Sequence, residues 1–314
     1  MSADTDKEVT NNEPDPLLEE LKKAIGSGQI NFLFGAGVNG RCFKNMADFN
    51  KTIEKVKEMG GTGNNLEETI SSLNEEQRES ALDVFIEEFN GYYKNGIQKD
   101  NISFINLSDL LKTVSHVIDL VESRQHASKK INIFTLNYDR IVEEALEDNG
   151  LFYHSTSPYR NSGSSITDVI GYDVSKRTFI PTFSILKIHG SVDPNHTLNK
   201  KHIILPVKQT KIQDALSMEF FNGLFEMKTE LTEPNAILFV IGYSGSDSHV
   251  NSIIKESVDM GLLVYWFAYS DMPDVPGIDF AFIHIIRPND GKSEKEKIDC
   301  TLSLNNMLKK VLKL

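Results

Sequence analysis

The chain has 314 residues, 39% of them apolar and 25% charged, which is ordinary for a globular protein able to bury a core as one large α/β domain or two smaller ones. Its formal charge of −12 opposes non-specific binding to a nucleic-acid backbone, and the pairs Lys129-Lys130, Lys200-Lys201 and Lys309-Lys310 are too short and scattered to make a basic stripe. No apolar run reaches the roughly 18 to 20 residues of a bilayer span, and Cys42 and Cys300, the only cysteines, exclude a disulfide framework and a four-thiolate zinc site. With no apolar signal-peptide core near its start, the chain is expected in the reducing cytoplasm, away from membranes and without direct nucleic-acid contact.

Residues 1–14 are polar and aperiodic, so they are expected to form a disordered tail ahead of one domain over 15–314. Asp15-Pro16 reads as a helix cap and first turn, followed by an apolar face of Leu17, Leu18, Leu21, Ala24 and Ile25 and a stop at Gly26–Gly28. The run Ile30–Phe34 is a buried strand ending in a glycine-rich turn that leads to a helix around Met46–Met59. Gly60 to Asn65 is a loop by composition. Weaker helical periodicity covers Glu75–Tyr93. Leu107, Leu110, Leu111, Val114, Val117, Ile118 and Val121 then recur at spacings of three and four, marking a long amphipathic helix. The block 46–130 is therefore a mainly helical insertion after the first βα unit, suited to a lid or an oligomer contact.

Beyond Lys130 strands and helices alternate: strand Ile131–Thr135, helix Asp139–Glu147, strand Phe183–Ile188, helix Asp214–Lys228, strand Ile237–Gly242, helix His249–Asp259, and strands Leu263–Ala268 and Phe280–Ile286. A terminal helix over Glu294–Leu312 carries its basic residues at the end favoured by the helix dipole. The segment Leu151–Thr182, rich in Ser, Gly and Tyr, is expected to supply pocket loops. This alternation predicts an α/β fold, a Rossmann-like parallel sheet covered by helices on both faces. Leu262–Ala268 reads as a buried strand rather than an aromatic stacking platform. Strand order alone brings Asp271 towards any nucleoside bound beyond it.

Three polar loops follow apolar strands: Gly35-Ala36-Gly37-Val38-Asn39-Gly40, Thr135-Leu136-Asn137-Tyr138-Asp139 and His189-Gly190-Ser191. In an open parallel sheet such loops share one crevice at the carboxyl ends of the strands. Gly35-x-Gly37-x-x-Gly40 fits a phosphate-binding turn, in which glycines let backbone N–H groups approach a pyrophosphate. By itself it also fits a plain strand-ending turn. The second Rossmann strand with an acidic end is missing, because Glu54 and Glu58 fall in helical sequence. Asn137 and Asp139 are ordinary capping types, and a single His-Gly pair is equally ordinary, so the functional reading rests on the three loops together.

With Gly242-Tyr243-Ser244-Gly245-Ser246-Asp247 added, the ordered set resembles the sirtuin family, in its bacterial branch of sirtuin-like proteins that includes NAD-degrading anti-phage effectors. The resemblance runs from about Ile30 to Asp247. It implies that Gly35, Ala36 and Gly37 bind NAD phosphates, with polar Asn39 where the family usually has Ser. It implies that Thr135, Asn137 and Asp139 form the ribose element, with Asn137 placing the attacking water. His189, beside Gly190, becomes the base on the ribose hydroxyls, and Gly242 and Ser244 lie on the adenosine side. Asp48-Phe49 is followed by Asn50 where deacylases carry Arg, so their nicotinamide contacts do not transfer. The four-cysteine zinc module of the deacylases is absent from the sequence.

The resemblance therefore favours an NAD glycohydrolase using NAD as substrate, with no zinc and no further cofactor, in abortive-infection defence against phage. The resemblance also implies a homo-oligomer working beside a separate partner, a HerA-type ATPase or a nuclease. The physical chemistry agrees. Cleaving the nicotinamide–ribose bond develops oxocarbenium-like charge, the pyridine leaves neutral, and one base near pH 7 suffices, typically contributing about 10² to 10⁴ in rate. The alternatives are a sensor that binds NAD or ADP-ribose without turnover, a protein deacylase or ADP-ribosyltransferase, and an oxidoreductase. Retention of both Asn137 and His189 disfavours the sensor. The missing zinc module disfavours the deacylase, and the missing strand the oxidoreductase.

Overall fold

Every residue of Ile30–Phe34 (β1) and Ile237–Ile241 (β6) is buried, a pattern that only strands covered on both faces show. They are neighbours at the centre of an eight-stranded sheet. Its other strands are Lys130–Thr135 (β2), Phe152–Asn161 (β3), Ser164–Thr167 (β4), Thr182–Lys187 (β5), Leu263–Phe267 (β7) and Ile283–Ile286 (β8). The order is β4-β3-β5-β2-β1-β6-β7-β8. All pairings are parallel except the antiparallel edge strand β4 on β3. The computed structural model describes residues 15–120, 129–161, 164–167, 182–193, 195–216, 218–269, 283–293 and 295–313. The tail over 1–14, the greater part of 162–181, and Asp271 lie outside the described residues.

The helices are Pro16–Ser27 (α1), Asn50–Glu58 (α2), Leu66–Ser71 (α3), Glu75–Lys94 (α4), Ile102–Leu120 (α5), Ile141–Asp148 (α6), Lys208–Ala215 (α7), Met218–Leu231 (α8), Ser248–Asp259 (α9) and Cys300–Leu312 (α10). Side-chain alternation along the strands splits the core in two. Phe32, Ile133, Ile185 and Phe239 pack with α1, α5, α6 and α10 on one face. Leu33, Phe134, Leu238, Val240 and Trp266 pack with α8 and α9 on the other. Phe239 lies between Phe32, tilted against it at 5.3 Å, and Tyr265, stacked on it at 5.5 Å. Each such buried side chain contributes on the order of 2 kcal/mol.

The chain leaves β1 towards β2 and later returns to add β6 on its other flank, so the sheet's topological switch point lies between β1 and β6. Such a point opens a crevice at the carboxyl ends of the strands. The helical insertion divides into two parts. α5 packs against α6 and α10 as the crossover helix of one layer, whereas α2, α3 and α4 form a cap over the crevice. The buried Glu88 of α4 accepts hydrogen bonds from the backbone N–H groups of Lys51 and Thr52 at 3.1 and 2.8 Å and from the Thr52 hydroxyl at 2.7 Å. It thereby locks the start of α2 to α4 within the cap, where an anion also complements the helix dipole.

Several expectations need correction. Phe152–Asn161 and Ser164–Thr167 are strands at the sheet edge, not pocket loops. Their polar sequence suits an edge that is not covered on both sides. The helix expected over Asp214–Lys228 is two helices, α7 and α8, and α10 begins at Cys300 rather than Glu294. An additional helix, α3, follows the Gly60–Asn65 loop. The Asn65 side chain caps it by accepting from Glu68 N at 2.8 Å. Leu263–Phe267 is a buried strand as read from sequence, and the Asp15 cap bonds Leu17 N at 3.0 Å. Among the described residues no helix is long and apolar enough to cross a membrane.

Candidate active site

A cleft of about 770 Å³ opens at the switch point, lined by the loops after β1, β2, β5 and β6 below and by the cap above. Of the residues singled out in the sequence, Gly35, Ala36, Asn39, Asn137, Asp139, His189, Gly242 and Ser244 all line it. Thr135 and Gly190 stand behind that wall, whereas Gly37 is exposed and outside the lining. Thr135 is fully buried and its hydroxyl accepts from Asn137 N at 3.2 Å. Gly190 bridges to Ile203 with φ of 90°. Phe49, Phe85 and Phe89 of the cap supply an apolar wall, with Phe49 stacked on Phe89 at 6.1 Å.

Two amides of the glycine turn are engaged within the protein. Gly35 N donates to Ile241 O and Gly37 N to Gly242 O, both at 3.0 Å, so these amides fasten the β1 loop to the β6 loop. Ala36 is exposed at the tip of the turn. The contact is backbone on backbone. A Cβ on Gly35 would lie 2.4 Å from Gly242 O, and one on Gly242, whose φ is 69°, would lie 2.2 Å from Val38 N.

A buried polar network joins the first two loops. Asn137 Nδ2 donates to Gly35 O and to Asn39 Oδ1, both at 3.2 Å, and Asn39 Nδ2 donates to Asp139 Oδ2 at 2.8 Å. Asp139 Oδ1 accepts from Ile141 N at 3.0 Å, which caps α6. Burial raises the Asp139 pKa, against the pull of Lys187 and of these hydrogen bonds. Lys187, at the end of β5, donates to the Asp139 carbonyl and lies 3.3 Å from Glu143, with both side chains 2% exposed.

The third loop brings His189 against a residue the sequence reading passed over. His189 Nε2 lies 3.1 Å from His249 Nε2 at the start of α9. Burial, with Lys211 and His249 adding to it against Asp247, pushes the His189 pKa down to about 3, so its imidazole is neutral at pH 7. Burial and Lys211 also lower the His249 pKa, against Asp247. Burial opposes the Asp247 carboxylate, but His189, Lys211 and His249 outweigh it and hold its pKa below the ordinary value. His189, Asp247 and His249 each bring one ligand-type atom within 4.8 Å of the others, a grouping able to hold a cation. Lys211 already sets its ammonium on Asp247 and lies 3.2 Å from Glu67. The carboxylates thus have their counter-charge. The sequence signal for His249 was its spacing two residues after Asp247 at a strand-to-helix turn.

Stability should depend on pH through this histidine. Below its ordinary pKa of about 6.5, the unfolded chain binds a proton that the folded one refuses. Folding stability contributed by His189 is therefore complete above that value and lost as pH falls towards 3, by up to about 1.4 kcal/mol per pH unit. Asp247 acts only lower, below its unfolded value near 3.9. Urea midpoints measured from pH 7.5 to pH 5 should fall, and His189→Gln should flatten that fall. An equal fall in the variant would assign the loss to other groups.

Residues 131–278 match the family model described as "SIR2-like domain". That span holds Thr135, Asn137, Asp139, His189, Gly242 and Ser244, whereas the turn at 35–40 precedes it. Among solved structures, the chain is similar to an ADP-ribose complex of a Sir2 homologue mutant, at 12% identity and a TM-score of 0.47 over 94% of this chain and 98% of that one. It is also similar to a Sir2 homologue–NAD complex, at 12% identity and a TM-score of 0.46 over 94% of each chain. A Sir2 mutant with a deacetylated peptide and 3′-O-acetyl ADP-ribose gives 12% identity and a TM-score of 0.44 over 93% and 97%. No curated protein matches the sequence. The protein is an α/β chain with a Rossmann-like parallel sheet, and its residues 131–278 are similar to the SIR2-like domain.

Proposed function

We propose that this chain is an NAD glycohydrolase. The observation that carries the reading is the convergence of Asn137 and a neutral His189 on one cleft whose floor is the β1–β6 switch point. The SIR2-like match supports NAD as the substrate. In the reaction the bond between ribose C1′ and the nicotinamide nitrogen breaks, and its electron pair leaves with neutral nicotinamide. Water adds to C1′ and one proton is released. Asn137 holds the water, His189 receives its proton, the exposed Ala36, with Asn39, lies on the pyrophosphate side, and Gly242 and Ser244 lie on the adenosine side. Hydrogen bonds to the ribose that strengthen as charge develops lower the barrier.

On this reading the chain acts in the cytoplasm and depletes NAD during phage infection, beside a HerA-type ATPase. Oligomer formation is supported by the apolar side chains Ile212, Leu216, Phe221 and Phe225, which are 43–61% exposed along α7 and α8. The test is purified chain incubated with NAD, alone and with phage lysate or the ATPase, with nicotinamide and ADP-ribose quantified. Equimolar release of both, lost in Asn137→Ala, is the expected result. NAD left intact in every condition but retained stoichiometrically would replace the hydrolase with a nucleotide sensor.

A further inference from the structure

We propose that Lys211 is a specificity-determining residue: its ammonium clamps the cap to the floor of the cleft beside His189 and so limits the acceptor of the ADP-ribosyl group to water. This rests on the glycohydrolase reading. Once the bond between C1′ and nicotinamide has broken, an alcohol can take the place of water with the same atom balance, forming an O–C1′ bond and releasing one proton. What selects water is the room left for an acceptor next to the base.

Lys211 belongs to α7 and reaches both walls of the cleft. Its Nζ is paired with Asp247, in the loop between β6 and α9, and lies 3.2 and 3.3 Å from the two carboxylate oxygens of Glu67 in the first turn of α3. Roof and floor are therefore one ammonium apart at this point. Asp247, His189 and His249 bring their side-chain polar atoms within 4.8 Å of one another, so the clamp stands directly beside the proposed base. Leu66, Pro206 and Ile212 line the cleft around it.

Both anchors are held in place. Asp247 N donates to the Tyr243 hydroxyl at 3.0 Å, that hydroxyl donates to Asn251 Oδ1 at 2.7 Å, and Asn251 Nδ2 donates to Gly245 O at 2.7 Å. On the roof, Leu66 is buried next to Glu67, and Asn65 caps α3. Lys211 N donates to the carbonyl of the buried Val207 at 3.1 Å, and α7 packs against α3 and α8. The Lys211 and Asp247 side chains are 14% and 7% exposed, so salt screens their attraction little. Removing the ammonium does more than break two ion pairs. It leaves two carboxylates opposed across the gap, and their repulsion drives α3 away from the floor.

The experiment gives NAD to wild type, Lys211→Ala and Lys211→Arg in the presence of propan-1-ol and quantifies propyl ADP-ribose against ADP-ribose. Wild type and Lys211→Arg, which returns a cation to the gap, are expected to form ADP-ribose almost alone. In Lys211→Ala the ratio of propyl product to ADP-ribose should rise roughly tenfold, the scale of steric discrimination in a pocket. Glu67→Gln breaks only the roof contact and leaves no opposed charges, so it should move the ratio the same way by less; it serves if Lys211→Ala misfolds. An unchanged ratio in a folded variant would overturn the specificity role, because a residue needed only for stability lowers total turnover without changing how the products divide. Hydrogen exchange gives a readout independent of turnover. Faster exchange over residues 66–72 in Lys211→Ala, with Lys211→Arg at the wild-type rate, is expected, and equal exchange in all three would overturn the clamp. Absence of NAD cleavage by wild type would remove the glycohydrolase reading and the acceptor role with it, while exchange would still decide whether Lys211 ties the cap to the floor.

Discussion

His189→Ala is expected to reduce NAD cleavage by about 10² to 10⁴, the range of a positioned general base, while leaving a folded chain. The imidazole sits at the end of β5, 5% exposed, and its principal side-chain partner is His249. Removing a neutral ring leaves no buried charge behind. Folding should therefore suffer mainly the transfer and cavity terms of a lost side chain. The ring's absence also leaves a space next to His249, so exogenous imidazole should restore part of the activity, and restore it more at pH values where imidazole is unprotonated. The measurement is nicotinamide release with and without imidazole, beside thermal melts. Activity within threefold of wild type would remove His189 from the chemistry.

Glu143→Ala should have the largest effect on stability. The Lys187–Glu143 pair is buried on both sides, and Ser155 Oγ also donates to Glu143 at 3.3 Å. Deleting the carboxylate leaves the buried Lys187 ammonium with Asp139 as its remaining partner among the described residues, and breaking a buried pair typically costs about 3 to 5 kcal/mol. The double replacement Lys187→Met with Glu143→Leu removes both charges and should recover most of that loss, because the pair's mutual attraction largely offsets its own desolvation. It should not recover activity, since the lysine's hydrogen bond to the Asp139 carbonyl disappears with it. Chemical denaturation of the single and double variants, read beside NAD turnover, separates the two roles. A single variant as stable as wild type would mean that Asp139 or water takes over the Lys187 charge.

The sequence made the central sheet legible because parallel strands buried on both faces appear as uninterrupted apolar runs. Ile30–Phe34 was read to the residue, and the boundaries of β2, β6 and β7 to within one. The edge strands β3 and β4 escaped because Phe152–Asn161 carries His154, Ser155, Thr156 and Arg160, with neither an apolar run nor strict alternation. The helix α3 is six residues long, too short for periodicity to register. Within the site, residues directly after strands were legible because topology alone sends them to the crevice. His249 was not, because its importance lies in a ring-to-ring contact 60 positions away in sequence. Nor could the spacing of the glycines reveal that their amides are spent on each other's loops, since that depends on β1 and β6 being neighbours.

The interlocking of Gly35 and Gly37 with Gly242 has a consequence for how this cleft can diversify. Two stretches two hundred residues apart touch through main chain alone, so neither can accept a side chain while the other keeps its path. Single-step drift at the floor is closed off, because a compensating change has no side-chain atoms to act on. The cap over the same cavity meets it through exchangeable side chains such as Phe49, Asn65, Glu67 and Phe85. Inheritable changes in what the pocket admits would therefore accumulate in the roof, over a floor that stays fixed.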